Sequence, residues 1–126
     1  MPTKGHEGDA GWDLYTPVDF TVPAKGFSDR INLLVGFEIP RGYVGFVMER
    51  SSQGKKGLSS TGPVVDHGYT GDVHATLTNS SDEDVVYSKG DRVAQLVVLP
   101  VFTEGLELSS VLEGERGDNG HGSTGA

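Results

Sequence analysis

Residues 64–73 read Val-Val-Asp-His-Gly-Tyr-Thr-Gly-Asp-Val, and from Val73 the chain continues as Val-His-Ala-Thr-Leu-Thr, alternating apolar and polar. Val64 and Val65 are β-branched and apolar, the residue type that fits a half-buried strand. Gly68 and Gly71 bracket the segment that follows, which is turn chemistry. Strand, turn and strand in this order predict a β-hairpin with an acid, Asp66, and a ring, Tyr69, at its tip. Such a tip forms a small concave site in which a carboxylate can activate water beside a flat ligand. A turn aspartate more commonly does no more than accept a local backbone hydrogen bond. The surrounding chain has to decide between the two.

On both sides the pattern is that of short strands separated by turn signals. Phe20 to Val22 closes at Pro23, and Ile31 to Ile39 reads as one longer strand ending at Pro40-Arg41-Gly42. Tyr43 to Met48 is a further strand, and Val85 to Tyr87 another, followed by a turn at Gly90-Asp91. Val93 to Leu99 is nearly continuous in apolar residues, which predicts a strand buried on both faces. Ser51 and Ser52, within Arg50 to Lys56, can cap one short helical turn, the only helix expected. Spacing of this kind argues an all-β barrel or sandwich. Residues 113–126 contain five glycines and no aliphatic side chain larger than alanine. They cannot bury apolar area and are expected to form a mobile arm after a folded domain of residues 1–112.

The bulk composition narrows the function. The 126 residues suit one domain with a modest core. Cysteine is absent, which excludes disulfides and thiolate metal sites and fits a reducing compartment. No apolar run approaches the ~20 residues of a membrane span, and no signal segment is visible, so a cytoplasmic protein without a membrane partner is expected. A net charge of −8 argues against a nucleic acid polymer as partner. A small anion remains possible where cations converge or a divalent metal mediates.

Several stretches could supply those groups. The glycine-rich tail can wrap phosphate oxygens with backbone N–H groups, helped by Arg116, Ser123 and Thr124. It is not a Walker A loop, because Ser123 stands where that motif needs lysine. Arg50, Ser51 and Ser52, directly after a strand, form a second candidate anion corner, although on this motif alone a simple N-cap with an exposed arginine is the better reading. Gln95 interrupts an apolar run and must find hydrogen-bond partners. Asp9 and Asp13 bracket a glycine turn and could serve Mg²⁺ through water, or be turn acids. The histidines lack the spacing of a zinc motif.

Taken in order, these stretches resemble the five motifs of the trimeric dUTPase family. They are Ala10-Gly11-Trp12-Asp13-Leu14; Arg50-Ser51-Ser52 with Lys56-Gly57-Leu58; Val65-Asp66 through Tyr69-Thr70-Gly71-Asp72; Gly90 to Leu96; and Arg116-Gly117 through Gly120-His121-Gly122-Ser123-Thr124-Gly125. The resemblance implies a jelly-roll-like β-barrel that assembles as a homotrimer with sites at subunit contacts. It implies Mg²⁺-dependent hydrolysis of dUTP to dUMP and pyrophosphate. Asp66 would orient the attacking water, and Tyr69 would pack on deoxyribose and exclude a 2′-hydroxyl. Arg50, Ser51 and Gln95 would hold the phosphates, Ser51 near the leaving oxygen, and Ser52, Val64 and Val65 would be among the substrate-binding residues. Arg116, His121, Gly122, Ser123 and Thr124 would close over the nucleotide. Mg²⁺ would sit mainly on the phosphates, with Asp13 reaching it through water.

The chain also departs from that pattern. His121 replaces the usual closing phenylalanine and can still stack on uracil. The segment between Arg50 and Asp66 is shorter than usual, and Pro63 stands where a glycine commonly precedes the catalytic strand. The asparagine that reads the uracil edge has no clear counterpart, Ser60 being the candidate. The N-terminal strand usual before the first motif is missing. Two alternatives accompany the main expectation: a dCTP deaminase or bifunctional enzyme on the same fold, and a non-catalytic nucleotide-dependent binding module.

Overall fold

A computed structural model describes residues 1–107. The arm expected at 113–126, with Arg116, His121, Gly122, Ser123 and Thr124, lies outside the described residues. The all-β expectation is met: eleven strands and one helical turn are the elements among the described residues. The main sheet has the order β1-β11-β5-β7, where β1 is Gly11–Tyr15, β5 Tyr43–Met48, β7 Val64–Val65 and β11 Arg92–Pro100. Three smaller sheets complete the body. They pair β10 (Val85–Tyr87) with β2 (Phe20–Val22), join β3 (Gly26–Phe27), β9 (Leu77–Asn79) and β6 (Leu58–Ser60), and pair β4 (Ile31–Asn32) with β8 (His74–Ala75).

The sheets share one core of aliphatic side chains, among them Leu14, Val22, Val47, Leu58, Val65, Val73, Leu77, Val93 and Leu96, each removed from solvent. Burying side chains of this size stabilises a fold by roughly 1.5–3 kcal/mol each, before chain entropy is set against it. Pairing at the N-terminal edge goes one step beyond β1, because Thr3 and Asp13 exchange both backbone hydrogen bonds.

Three expectations change. The strand from Ile31 to Ile39 is broken after Asn32. Leu34 takes a left-handed φ of 54° and its N–H donates to the Asn32 side-chain oxygen. Leu33 and Val35 both still bond Val73, so Leu34 is an extra residue bulged out of the ladder. β11 is buried on both faces only over Val93 and Ala94; Leu99, near its end, is 45% exposed. There it pairs with Val44 on one side and has passed the end of β1 on the other.

The third change concerns the central hairpin. Its two arms do not pair with each other. β7 pairs with β5 (Gly45↔Val65, Phe46↔Val64), whereas β8 pairs with β4 (Ile31↔Ala75, Asn32↔His74). The reason lies in the core. Val65 and Val73 are both buried, and each arm takes its ladder from a different neighbour. The space between the arms is left open.

Candidate active site

That opening is the first half of the site. Val65 is anchored in the core, and Asp66 follows at the strand end, exposed. The chain reverses through a type II turn: Tyr69 N–H donates to Asp66 O at 3.1 Å, with Gly68 at φ 89°. The third turn position requires positive φ, so glycine there is structural. His67 Nδ1 contacts Ile39 O at 2.7 Å, tying the turn to the loop before β5. Tyr69 Oη donates to Asp72 O at 2.8 Å, folding the ring back over Gly71. A Cβ at residue 71 would lie 2.5 Å from that oxygen, so the absent side chain is what lets the ring lie there.

The walls follow from strand alternation, since successive residues of an antiparallel strand direct their N–H and C=O groups to opposite sides. Val73 bonds Leu33 and Val35, and Ala75 faces Ile31. His74, between them, therefore turns its N–H and C=O away from β4. On the other arm, Pro63 O accepts from Val47 N–H and Val65 faces Gly45, so Val64 turns its polar groups away from β5. Among the described residues no backbone partner takes up the polar groups of either residue. Two backbone edges thus face a cavity of about 370 Å³, lined by Arg30, Thr61, Val64, Tyr69, Asp72 and His74 among others. Thr61 N–H donates to Thr76 O and closes its inner end. Flat heterocycles with a donor–acceptor edge fit such a slot.

Ser60 does not line this cavity. Its hydroxyl donates to Val47 O at 2.8 Å and accepts from Gly62 N–H, so it is committed to the fold. Thr61, the next residue, lines the cavity instead. Arg30, Thr61, Asp72, His74 and Thr76 were not singled out by sequence reasoning. Residue type held no signal for His74 and Val64 as main-chain readers, because any residue has an N–H and a C=O.

The second half of the site surrounds the helical turn α1 (Ser51–Gly54), with Arg50 extended at its N-cap. Ser51 and Ser52 are exposed on it. The Asp13 carboxylate, with its side chain 17% exposed, faces two cations: Arg92 Nη1 at 3.5 Å and Arg50 Nε at 3.8 Å. Gln95 Nε2 donates to Glu49 O at 3.1 Å and its side chain crosses Gly11, where a Cβ would come within 2.0 Å of Oε1. Tyr87 Oη donates to Gln53 Oε1 at 2.7 Å. Burial pushes the Tyr87 phenol up to about 12, against the opposing pull of the Arg50 charge. Arg50, Lys56 and Arg92 line a second cavity of about 360 Å³ with a single acid, Asp91. In a chain of net charge −8, this is a local basic corner suited to phosphates.

The two halves do not meet within one chain. Val65 pairs with Gly45, so Asp66 leaves the sheet near the Val44 end of β5, whereas Arg50 follows its Met48 end. At ~3.3 Å per residue the separation is about 20 Å. Gln95, opposite Met48, belongs with Arg50. One chain therefore holds an open slot with an acid at its rim and, apart from it, a basic corner.

Comparison with known proteins agrees with this geometry. Residues 1–125 match the dUTPase family. The deoxyuridine 5′-triphosphate nucleotidohydrolase of Saccharomyces cerevisiae is 38% identical, covering 99% of this chain and 86% of its own length. That of Paramecium bursaria Chlorella virus 1 is also 38% identical, covering 98% and 89%. A mutant dUTPase of Staphylococcus bacteriophage 80alpha, solved with dUpNHpp, superposes with a TM-score of 0.84 at 26% identity, covering 100% of this chain and 92% of that one. A mutant dUTPase of phage phi11 of S. aureus, described with a structural Mg(II) ion, gives 0.77 at 24% identity, covering 92% and 91%. With a family match over residues 1–125 and these relatives at 38% identity, the chain belongs to the dUTPase family.

Proposed function

We propose that this protein is a dUTP diphosphatase, hydrolysing dUTP to dUMP and pyrophosphate with Mg²⁺ at sites shared between the subunits of a homotrimer. The observation that carries the shared site is the separation just described. Asp66 and Tyr69 stand about 20 Å from Arg50 at ~3.3 Å per strand residue, too far for one nucleotide to bridge within a chain. A second copy brings its phosphate corner to the first copy's nucleoside slot.

In this reading uracil lies between the Val64 and His74 backbone edges, its O4 and N3–H matched by a main-chain N–H and C=O. Main-chain reading explains how base selection survives without the usual asparagine. Tyr69 packs on the deoxyribose, and its fixed ring leaves no room for a 2′-hydroxyl. Arg50, Ser51, Ser52 and Gln95 hold the phosphates, with Arg116, His121, Gly122, Ser123 and Thr124 closing from the arm. Asp66 orients the attacking water and accepts its proton as the phosphoanhydride bond breaks and pyrophosphate departs. Catalysis rests on positioning and on stabilising phosphate charge.

Among the described residues no three acidic or histidine side chains converge into a metal cage. In this reading the ion would be carried mainly by the triphosphate, and Asp13, which also faces Arg50 and Arg92, would reach it through water. When bound, Mg²⁺ neutralises charge building on the departing phosphates. Among the described residues no helix is long and apolar enough to cross a membrane.

The test is pyrophosphate release from dUTP, dTTP, dCTP and UTP, with Mg²⁺ and with a chelator. Release from dUTP alone, lost on chelation, is expected. Ammonia from dCTP would instead support a deaminase, and nucleotide binding without turnover a regulatory module. The family match and the Asp66–Tyr69 turn favour the diphosphatase over both.

A further inference from the structure

The helical turn α1 carries the proposed phosphate ligands yet has little to hold it in shape. It spans four residues, none of them buried, and has no side-chain cap and no acid in its first turn. A single helical turn is not stable by itself. Its backbone is closed by bonds between near neighbours alone, from Gln53, Gly54 and Lys55 to Arg50 and Ser51 and from Lys56 and Gly57 to Gln53 and Gly54. Among the described residues, one side-chain hydrogen bond ties α1 to the body of the protein: Tyr87 Oη to Gln53 Oε1, at 2.7 Å. The donor is well fixed. Tyr87 is 4% exposed, sits opposite Phe20 in the β10–β2 pair, and stacks on that ring at 4.9 Å and 15°.

We propose that Tyr87 and Gln53 form a strut that positions α1, so that Arg50 and Ser51 are presented to the triphosphate in one geometry. Tyr87 and Gln53 line the same cavity as Arg50, and the Tyr87 hydroxyl is taken up by Gln53, so Tyr87 acts as a positioning residue through Gln53. The inference rests on the reading of Arg50 and Ser51 as phosphate ligands. The burial that raises the phenol to about 12 keeps it a donor across the range in which the enzyme would be assayed.

Tyr87→Phe keeps the stacked ring and removes only the hydroxyl, and Gln53→Leu removes the acceptor. Each variant is assayed for dUTP turnover, for inhibition by dUMP, which lacks the β- and γ-phosphates, and for melting temperature without nucleotide. A bond of this kind is worth about 1 kcal/mol, so kcat/KM for dUTP is expected to fall about five- to tenfold. Inhibition by dUMP stays at the wild-type level. Because both substitutions cut one bond, the double variant is no worse than the poorer single. Wild-type kcat/KM in Tyr87→Phe would overturn the strut, as would losses that multiply in the double variant. An equal loss for dUMP and dUTP would also overturn it, reducing the bond to general stability. Wild-type turnover of dUTP in the same assay separates the two failures, because its absence would sink the functional reading together with the strut.

Discussion

Replacing Gly71 by alanine puts a methyl against the ring of Tyr69. The new Cβ would lie 2.5 Å from Oη, 2.7 Å from Cζ and 3.2 Å from Cε1, where ordinary contact begins at 3.4 Å. Residue 71 is not held at positive φ, so alanine brings no backbone strain and the perturbation is purely steric. The ring must retreat by about 1 Å, because overlap of that size cannot persist in a packed structure. Its route is open, since Tyr69 is 43% exposed. The retreat breaks the 2.8 Å bond to Asp72 O. That bond is worth about 1 kcal/mol, a melting shift of a few degrees for a domain of this size. Catalysis should suffer more than stability, because misplacing a substrate by about 1 Å can cost about 100-fold in rate. The ring proposed to exclude a 2′-hydroxyl would move away from the sugar, so UTP should gain relative to dUTP by about tenfold, the equivalent of ~1.4 kcal/mol. The assay is pyrophosphate release from both nucleotides, alongside a melting curve. Wild-type turnover of dUTP with an unchanged preference over UTP would refute the idea that Gly71 sets the Tyr69 ring against the sugar.

Asp66→Asn keeps the turn, whose bond is made by the main-chain oxygen, and removes the proposed base; turnover should fall by at least about 100-fold with dUTP binding retained. Undiminished turnover would take Asp66 out of the mechanism. Gly11→Ala drives Gln95 from its path to Glu49 O, and should weaken dUTP several-fold while leaving dUMP nearly untouched, as competition assays would report. Equal weakening of the two would place Gln95 away from the β- and γ-phosphates. Stability should also respond to alkali. Tyr87 holds its proton to about 12 when folded against 10.0 unfolded. The unfolded chain thus ionises first, so this contribution is complete below pH 10 and is lost as pH rises toward 12. Urea midpoints between about pH 9 and 11.5 should fall more steeply in wild type than in Tyr87→Phe; parallel curves would count against a buried phenol.

Much of the element list was legible along the chain. Phe20–Val22, Tyr43–Met48, Val64–Val65 and Val85–Tyr87 are strands where β-branched and aromatic residues meet turn signals, and the one helical turn lies where two serines follow a strand. Asp66 and Tyr69 could be singled out because turn chemistry with an acid and a ring is local, fixed by residues within ten positions of one another. What could be read along the chain was thus local: strand, turn, and which side chains stand at a turn. Pairing was not local. Whether Val64 and His74 bond each other or face an open slot depends on β5 and β4 taking the two arms, and on Leu34 bulging out to keep Leu33 and Val35 on Val73. The same register, counted along β5, places Arg50 far from Asp66. Side-chain chemistry is written residue by residue, but the direction of a backbone N–H and the distance between two motifs exist only once strands have chosen their partners.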